Sequence, residues 1–173
     1  MWGGVVYHNL GLKFLSPTIN EFMSASDFVK FCSNLQFYLS QDLKEIMGCN
    51  CNYPVAKLDD ITIFCVHYKS FEEFCEKWHD RKTRINWDKT YFILTERDGC
   101  TYNDIVEFDK LPYKNKVVFV KQPRPEIKSA FYINGVDCSI TALTDYLGKF
   151  TGLRWLDKFD FVSFIDKGEL KES

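Results

Sequence analysis

The sequence lacks three features that would place a protein in a broad functional class. No run approaches the ~20 consecutive apolar residues of a membrane-spanning helix, and the first residues lack the basic-then-apolar order of a signal peptide. Basic and acidic side chains nearly balance as well, since 22 basic and 24 acidic residues leave a formal net charge of −2. We therefore expect a cytoplasmic protein with no integral membrane segment and no nucleic-acid partner.

Signatures of familiar enzyme classes are missing as well. There is no serine nucleophile elbow, no zinc-protease helix motif, no dinucleotide fingerprint and no Asp-x-Asp motif after a strand. The pair Cys49-Asn50-Cys51 is too closely spaced for an ordinary zinc site and has no second pair of ligands, so we predict no metal site. The sequence therefore specifies neither a reaction nor a cofactor.

Residues that can build a core are abundant, at 46% hydrophobic and 17% aromatic over 173 residues. Nearly continuous apolar runs at 61–66, 90–95 and 116–120 are typical of strands buried on both faces of a parallel sheet. Helical patterns lie between these runs, which predicts two consecutive crossover connections. We therefore predict an α/β fold, a three-layer α/β/α arrangement with a mostly parallel sheet, in which the three strands are neighbours.

The same patterns predict the extent of the domain and the elements at its two ends. We interpret residues 1–173 as a single α/β domain in which 166–173 form a loose tail. The N-terminal part offers a helix capped by Ser26 but no clear strand before it, which leads us to expect an additional N-terminal strand in the natural protein. A last helix is predicted to begin near Ser139, and a final strand at 159–165.

The loop Glu96-Arg97-Asp98-Gly99 is the best candidate for a functional site, because parallel sheets bind ligands beyond the carboxyl ends of their strands. Asp98 would serve as an acid, a base or a metal-bridging carboxylate, and Arg97 would hold a phosphate or carboxylate through its planar fork. Gly99 would allow a ligand to approach the backbone. The alternative is a strand-to-helix turn with solvated charges, and the sequence favours neither interpretation.

Further polar residues follow the other two predicted strands and should reach the same edge of the sheet. His67 and Lys69 follow the strand at 61–66, and Arg124 follows the strand at 116–120. We assign His67 as an auxiliary proton carrier, and Lys69 and Arg124 as phosphate ligands. A structural role for His67 is the alternative, and it is somewhat favoured.

Two other clusters have both a functional and a structural interpretation. Trp87 follows the basic stretch 81–84 and could stack on a sugar or a base, but a role as a lid on the core at a solvated helix end is favoured. The pair Asp59-Asp60 could bind a metal. It falls at the amino end of its strand, away from the usual ligand edge, so we interpret it as a strand-entry turn.

Segments along nearly the whole chain form a recognisable set of motifs. They are Trp2-Gly3-Gly4, Tyr7-His8, Leu10-Gly11-Leu12, Ser16-Pro17-Thr18-Ile19-Asn20, Tyr53-Pro54-Val55, Leu58-Asp59-Asp60-Ile61, His67-Tyr68-Lys69-Ser70-Phe71, Lys77-Trp78, 81–87, Asp98-Gly99-Cys100-Thr101, 111–116 and Ile127-Lys128-Ser129-Ala130-Phe131. Together they resemble one bacterial family, the domain of unknown function numbered nineteen-nineteen. The resemblance implies a cytosolic protein encoded among genes for capsule, exopolysaccharide or lipopolysaccharide. Members are often labelled exopolysaccharide biosynthesis proteins, but the family supplies no reaction and no catalytic residue.

The resemblance implies a protein of bacterial surface-polysaccharide biosynthesis, and with the candidate loop it leads us to expect a transferase or hydrolase that acts on a sugar phosphate or nucleotide-sugar. The alternative is a non-catalytic module that binds a glycan or a partner protein within a polysaccharide assembly system. The aromatic content of the chain suits that role, because Tyr and Trp side chains stack on sugars and are also common in protein–protein contacts. The sequence does not specify an oligomeric state.

We predict that all seven cysteines are thiols. Their number is odd, and three of them lie in apolar stripes, as expected of a protein from a reducing compartment. Thiol titration of the unfolded protein without reductant should therefore give the same seven groups as titration after reduction, and a smaller number would contradict the prediction. The residues are Cys32, Cys49, Cys51, Cys65, Cys75, Cys100 and Cys138.

Overall fold

The computed structural model describes residues 16–136, 143, 145–147 and 151–173. The chain divides into two compact units, Met1–Thr90 and Tyr91–Ser173, and each of them combines helices with strands. The α/β class predicted from the sequence is therefore confirmed. The start of the helix predicted near Ser139 lies outside the described residues, as does Cys138.

Three α-helices are described in the first unit: α1 at Ala25–Ser33, α2 at Leu35–Ser40 and α3 at Phe71–Lys82. The cap of α1 is Ser24 and not Ser26 as predicted, because the Ser24 side chain accepts the backbone N–H of Asp27. The predicted cap of α3 is confirmed, since Ser70 accepts the backbone N–H of Glu73.

The sheet of the first unit is antiparallel, with strand order β1-β2-β3. Its strands are β1 at Leu43–Glu45, β2 at Val55–Leu58 and β3 at Ile61–Phe64. Asp59 and Asp60 form the two-residue connection between β2 and β3, and Asp59 has a φ of 53°. The interpretation of this pair as a strand-entry turn is confirmed. The Asp60 carboxylate accepts hydrogen bonds at 2.9 Å from Lys30 Nζ and the Tyr38 hydroxyl, which tie the turn to α1 and α2.

The prediction that all three apolar strands are neighbours in one mostly parallel sheet is therefore wrong. The described residues form two three-stranded sheets, and β3 belongs to the antiparallel one. The physical reason is the tight Asp59-Asp60 turn, which returns the chain directly alongside β2 and leaves β3 paired in a hairpin. A continuous apolar run does not distinguish such a strand from one in a parallel sheet. The three-layer arrangement stays a prediction.

The second unit contains the parallel sheet, with strand order β4-β5-β6. The strands are β4 at Phe92–Thr95, β5 at Lys116–Val120 and β6 at Ala130–Tyr132. Helix α4 at Tyr102–Lys110 connects β4 to β5, as the predicted crossover requires. Thr101 and Asp104 form the capping box that begins this helix.

Residues near the C-terminus differ from the predictions in two ways. The expected strand at 159–165 is wrong, because helix α5 occupies Phe161–Lys167 and is capped by the Asp160 side chain. The expected loose tail at 166–173 is hydrogen-bonded to the preceding segment, since Asp160 N donates to Lys171 O and Ser173 N donates to Lys158 O, each at 3.0 Å. A short 3₁₀ helix at Trp155–Lys158 precedes α5, and another lies at Trp87–Lys89 in the first unit.

Aromatic rings fill the core of the second unit. The Phe159 ring lies 4.8 Å from the Phe131 and Phe161 rings and 5.2 Å from the Phe119 ring, measured between centroids. Such edge-to-face contacts add to the free energy of apolar burial. They join strands β5 and β6 to the segment that enters α5.

The remaining general features concern thiols and membrane crossing. The six cysteines among the described residues are thiols, and Cys32 and Cys65 are buried. Within the same residues no helix combines the length and apolarity needed to cross a membrane.

Replacement of Phe159 by Ala should destabilise the protein by about 3–5 kcal/mol, because a fully enclosed ring leaves a cavity among its aromatic neighbours. Val162→Ala is a matched control from the same segment, since Val162 is exposed and its loss should change the free energy of unfolding by less than about 0.5 kcal/mol. Urea denaturation of both variants measures the difference. Equal effects would show that the aromatic cluster is not the core of this unit.

Candidate functional site

The carboxyl ends of β4 and β5 lie side by side in the parallel sheet of the second unit. Thr95 pairs with Phe119, and Glu96 N extends the ladder by donating to Phe119 O at 2.9 Å. The first residues beyond the two strands are Glu96 and Lys121. The predicted loop therefore begins at the edge where parallel sheets hold their ligands.

Glu96 anchors this edge through a buried carboxylate. The residue is 5% exposed, and Oε2 accepts the backbone N–H of Lys121 at 2.8 Å. Oε1 accepts a hydrogen bond from Arg124 Nη2 at 2.9 Å, which makes an ion pair whose Arg124 side chain is 14% exposed. Both charges are largely removed from water. Loss of one partner would leave the other buried and unpaired, which should cost far more stability than the loss of a surface ion pair.

The Arg124 guanidinium is held on a second side by an aromatic ring. Its Cζ lies 4.9 Å from the centroid of the Tyr102 ring, in the first turn of α4. Tyr102 donates in turn to the Glu126 carboxylate at 3.3 Å. Arg124 Nε is buried and makes no hydrogen bond within the described part of the chain.

The loop beyond Glu96 turns sharply at Asp98 and Gly99. Their φ angles are 50° and 83°, and Cys100 N donates to Arg97 O at 2.8 Å, which are features of a type I′ turn. Gly99 adopts this conformation without strain, and Asp is one of the few other residues that tolerate it. The interpretation of Asp98-Gly99 as a turn is thus correct. The functional role of Asp98 stays a prediction.

Two charged side chains project from this turn. Asp98 is exposed, and its Oδ2 lies 4.0 Å from Nε of the half-buried Arg97. A contact of this length leaves the carboxylate accessible to other partners. Arg97, Asp98 and the anchored Arg124 thus lie on loops that leave adjacent strand ends.

Cys100 lies in the same loop but is unsuited to act as a nucleophile. Burial, together with the charges of Asp104 and Glu96, raises the pKa of its thiol to about 12, although Lys121 and Arg124 oppose the shift. The thiol is therefore protonated at neutral pH, and the thiolate is the reactive form. Chemistry at this edge must use the oxygen and nitrogen side chains.

Three predicted site residues belong to the first unit. His67 and Lys69 follow β3, which lies in the antiparallel sheet, so the expectation that they share a sheet edge with Glu96–Gly99 is wrong. Trp87 begins a 3₁₀ helix and is 52% exposed, so it is not the lid on the core that we favoured. The functional roles assigned to these three residues stay predictions.

Sequence reasoning placed Glu96 in the loop but missed that it is the buried anchor of the edge. Tyr102 was missed altogether, because a Tyr after a helix cap carries no signal of contact with an arginine more than 20 residues later in the chain. A signal for Glu96 did exist, since it directly follows an apolar strand, where an enclosed acidic residue needs a cationic partner. Within the described residues, no cluster of three or more His, Cys, Asp or Glu side chains could hold a metal ion.

Replacement of Arg124 by Met should destabilise the protein by about 3–5 kcal/mol, because Glu96 is left with a buried and unpaired charge. Adding Glu96→Gln should recover a large part of that loss, since the neutral amide needs no cation. Lys110→Met is the matched control: it removes the partner of Glu107 in an exposed ion pair of the same unit and should have little effect. Urea denaturation measures all three, and a double variant no more stable than Arg124→Met would contradict the pairing.

Comparison with known proteins identifies the family to which the chain belongs. A family model described as "Domain of unknown function (DUF1919)" matches residues 1–166. A protein of Haemophilus influenzae named "Uncharacterized protein" is 38% identical over 166 residues, which cover 95% of this chain and 80% of that protein. The chain therefore belongs to the DUF1919 family, as the resemblance of its motifs predicted.

Proposed function

We propose that this protein acts in the cytoplasm in bacterial surface-polysaccharide biosynthesis, as a transferase or hydrolase for a sugar phosphate or nucleotide-sugar. The observation that carries the proposal is the guanidinium of Arg124, fixed by a buried carboxylate at the carboxyl edge of a parallel sheet. Substrate phosphates commonly bind at this edge, and an arginine held in one orientation loses little freedom when it binds a phosphate.

Guanidinium groups at the edge support a phosphorylated ligand. The support comes from their geometry and not from net charge, because Asp98, Asp104 and Glu126 accompany Glu96 at this edge. A phosphate would meet the guanidinium of Arg124 and a second guanidinium from Arg97 on the neighbouring loop. Planar guanidinium groups match the spacing of two phosphate oxygens, which favours phosphate over a spherical anion.

Asp98 is the residue best placed to move a proton in this proposal. Its exposed carboxylate lies on a hydrogen-bonded turn beside Arg97, so it can accept the proton of an attacking hydroxyl. The hydroxyl oxygen would form a bond to the sugar carbon while the bond from that carbon to the phosphate oxygen breaks. An acceptor sugar as nucleophile gives a transferase, and water gives a hydrolase.

A second candidate function is a non-catalytic module that binds a glycan. The observation that favours it is Trp87, which is 52% exposed and therefore accessible to a ligand from solvent. Exposed aromatic rings stack on sugars without any need for phosphate. Such a module would bind an oligosaccharide through Trp87 and would ignore a nucleotide.

Asp98→Asn tests the catalytic proposal most directly. Asn tolerates a positive φ as well as Asp does, so the melting temperature should barely change. Turnover of a nucleotide-sugar such as UDP-glucose should fall by roughly a hundredfold or more, the usual effect of losing a general base. Unchanged turnover, or an unchanged surface glycan in cells carrying the variant, would leave Asp98 as a turn residue only.

Binding measurements separate the two candidate functions. Arg97→Met should weaken UDP-glucose binding by roughly tenfold or more through loss of a charge-assisted contact, whereas Lys128→Met should not. Lys128 is the matched control, because it precedes β6 and so lies toward the opposite end of the strands. If Trp87→Ala instead removes oligosaccharide binding, and UDP-glucose does not bind the unaltered protein, the glycan-binding function is correct.

A further inference from the structure

Tyr102 and Glu126 lie beside the anchored arginine of the candidate site, and the proposed chemistry does not use them. Arg124 Cζ is 4.9 Å from the centroid of the Tyr102 ring, and the Tyr102 hydroxyl donates to Glu126 Oε1 at 3.3 Å. Tyr102 is 48% exposed, and Glu126 is exposed as well. Both side chains are therefore open to a ligand that approaches from solvent.

A tight turn of the chain holds Glu126 close to Arg124. Ile127 N donates to Arg124 O at 3.1 Å, which closes a β-turn with Pro125 at its second position and Glu126 at its third. Proline restricts the backbone of this turn, and the Ile127 side chain that follows Glu126 is buried. The position of Glu126 relative to the arginine is therefore set by the fold of the loop.

Tyr102 is placed by the start of α4. The capping box of Thr101 and Asp104 fixes the first turn of this helix, and Tyr102 is the first residue of the helix. The same connection between β4 and α4 carries Asp98 four residues earlier. The exposed ring and the candidate base thus belong to one short segment at the edge of the sheet.

The charge of Arg124 is balanced without Glu126. Arg124 forms its ion pair with the buried Glu96. In the described part of the chain, the Glu126 carboxylate takes part in no ion pair and accepts only the hydrogen bond from Tyr102. Since a carboxylate has about four acceptor positions, most of the accepting capacity of Glu126 is open to O–H groups of a ligand.

We propose that Tyr102 and Glu126 form a nucleoside subsite beside Arg124, so that the substrate is a ribonucleoside diphosphate derivative and not a simple sugar phosphate. The inference rests on the proposed function, and it names the substrate class of that same site. In this subsite Glu126 accepts hydrogen bonds from the ribose hydroxyl groups, and the base stacks on the Tyr102 ring.

The two exposed carboxylates of the edge distinguish these classes of ligand. A phosphate held by Arg97 and Arg124 has Asp98 on its Arg97 side, where the reacting sugar is expected. On the Arg124 side the ligand meets Glu126 instead. A sugar phosphate would place only its terminal phosphate oxygens there, and a carboxylate repels their negative charge. A nucleotide-sugar would place its ribose there, and two neighbouring ribose hydroxyl groups can both donate to Glu126.

The exposed ring of Tyr102 supports the same assignment. Every base has a flat face that stacks on an aromatic side chain, and the gain does not depend on the pattern of hydrogen bonds of the base. Because the Tyr102 ring also contacts the guanidinium of Arg124, it lies next to the group that would hold the phosphates. The subsite should therefore recognise ribose and a stacking surface without selecting one particular base.

Calorimetric titration with matched probes tests the subsite on the unaltered protein. UDP and GDP should each bind roughly tenfold or more tightly than inorganic pyrophosphate, which has the same phosphates but no nucleoside. Glucose 1-phosphate should bind no more tightly than pyrophosphate. The 2′-deoxy form of UDP should bind roughly tenfold more weakly than UDP, because one hydrogen bond to a charged acceptor is lost.

Glu126→Ala tests the role of the carboxylate. In this variant UDP and its 2′-deoxy form should bind equally well, because the acceptor that distinguishes them is gone. Glu107→Ala is the matched control, since it removes an exposed glutamate of α4 that pairs with Lys110 near the other end of the helix. The control should keep the full preference for the ribonucleotide. The preference is a ratio of two affinities, so a small change in stability does not affect it.

Tyr102→Leu tests the role of the ring. UDP and GDP should both bind roughly tenfold more weakly to this variant. Pyrophosphate binding should change by no more than a few-fold, because Glu96 still anchors Arg124. Tyr102→Phe keeps the ring and should bind UDP within a few-fold of the unaltered protein. Tyr146→Leu is the matched control, since Tyr146 is 66% exposed and lies outside the loops that follow β4 and β5, and it should have no effect.

Three outcomes would overturn the subsite and leave the proposed phosphate chemistry standing. They are pyrophosphate or glucose 1-phosphate binding as tightly as UDP and GDP, a preference for the ribonucleotide that survives Glu126→Ala, and UDP binding that survives Tyr102→Leu. In each of these cases Arg97→Met would still weaken the binding of the phosphate-bearing probes. If none of the probes binds to the unaltered protein, the proposed function fails and the subsite fails with it.

Discussion

The buried ion pair between Glu96 and Arg124 is the interaction on which the candidate site depends. Glu96 directly follows β4, and its carboxylate also accepts the amide of Lys121, the first residue after β5. One enclosed charge thus joins two neighbouring strand ends and sets the direction of the guanidinium. Because desolvation offsets much of the attraction between buried charges, the pair contributes more to the geometry of this edge than to net stability.

The two buried glutamates among the described residues illustrate opposite solutions to the same physical problem. Glu96 meets a guanidinium and a backbone amide, so it can remain enclosed as a charge. Glu21 meets neither within the described residues, and burial therefore favours its neutral form. A paired carboxylate suits the holding of a fixed cation, whereas an enclosed carboxyl group without a partner gives up its hydrogen bonds to water without replacing them.

Local signals in the sequence predicted local structure well. The capped starts at Ser70 and Thr101, the turn at Asp59-Asp60 and the crossover from β4 to β5 were all read correctly, because each depends on residues close together in the chain. The pairing of β3 was predicted wrongly, since an apolar run does not indicate which strand it will pair with. The segment 159–165 was also misread, because a short aromatic-rich stretch fits a strand or a helix equally well.

The α/β class, the family and the position of a polar loop at the end of β4 were all predictable from the sequence. They were predictable because apolar periodicity, caps and motif segments are local properties of the chain. The three-dimensional arrangement was needed to show that Arg124 completes the Glu96 edge, that Trp87 is exposed and that Glu21 is enclosed with no hydrogen-bond partner among the described residues. Burial and pairing of a polar side chain depend on residues distant in sequence, and composition and periodicity contain no record of those contacts.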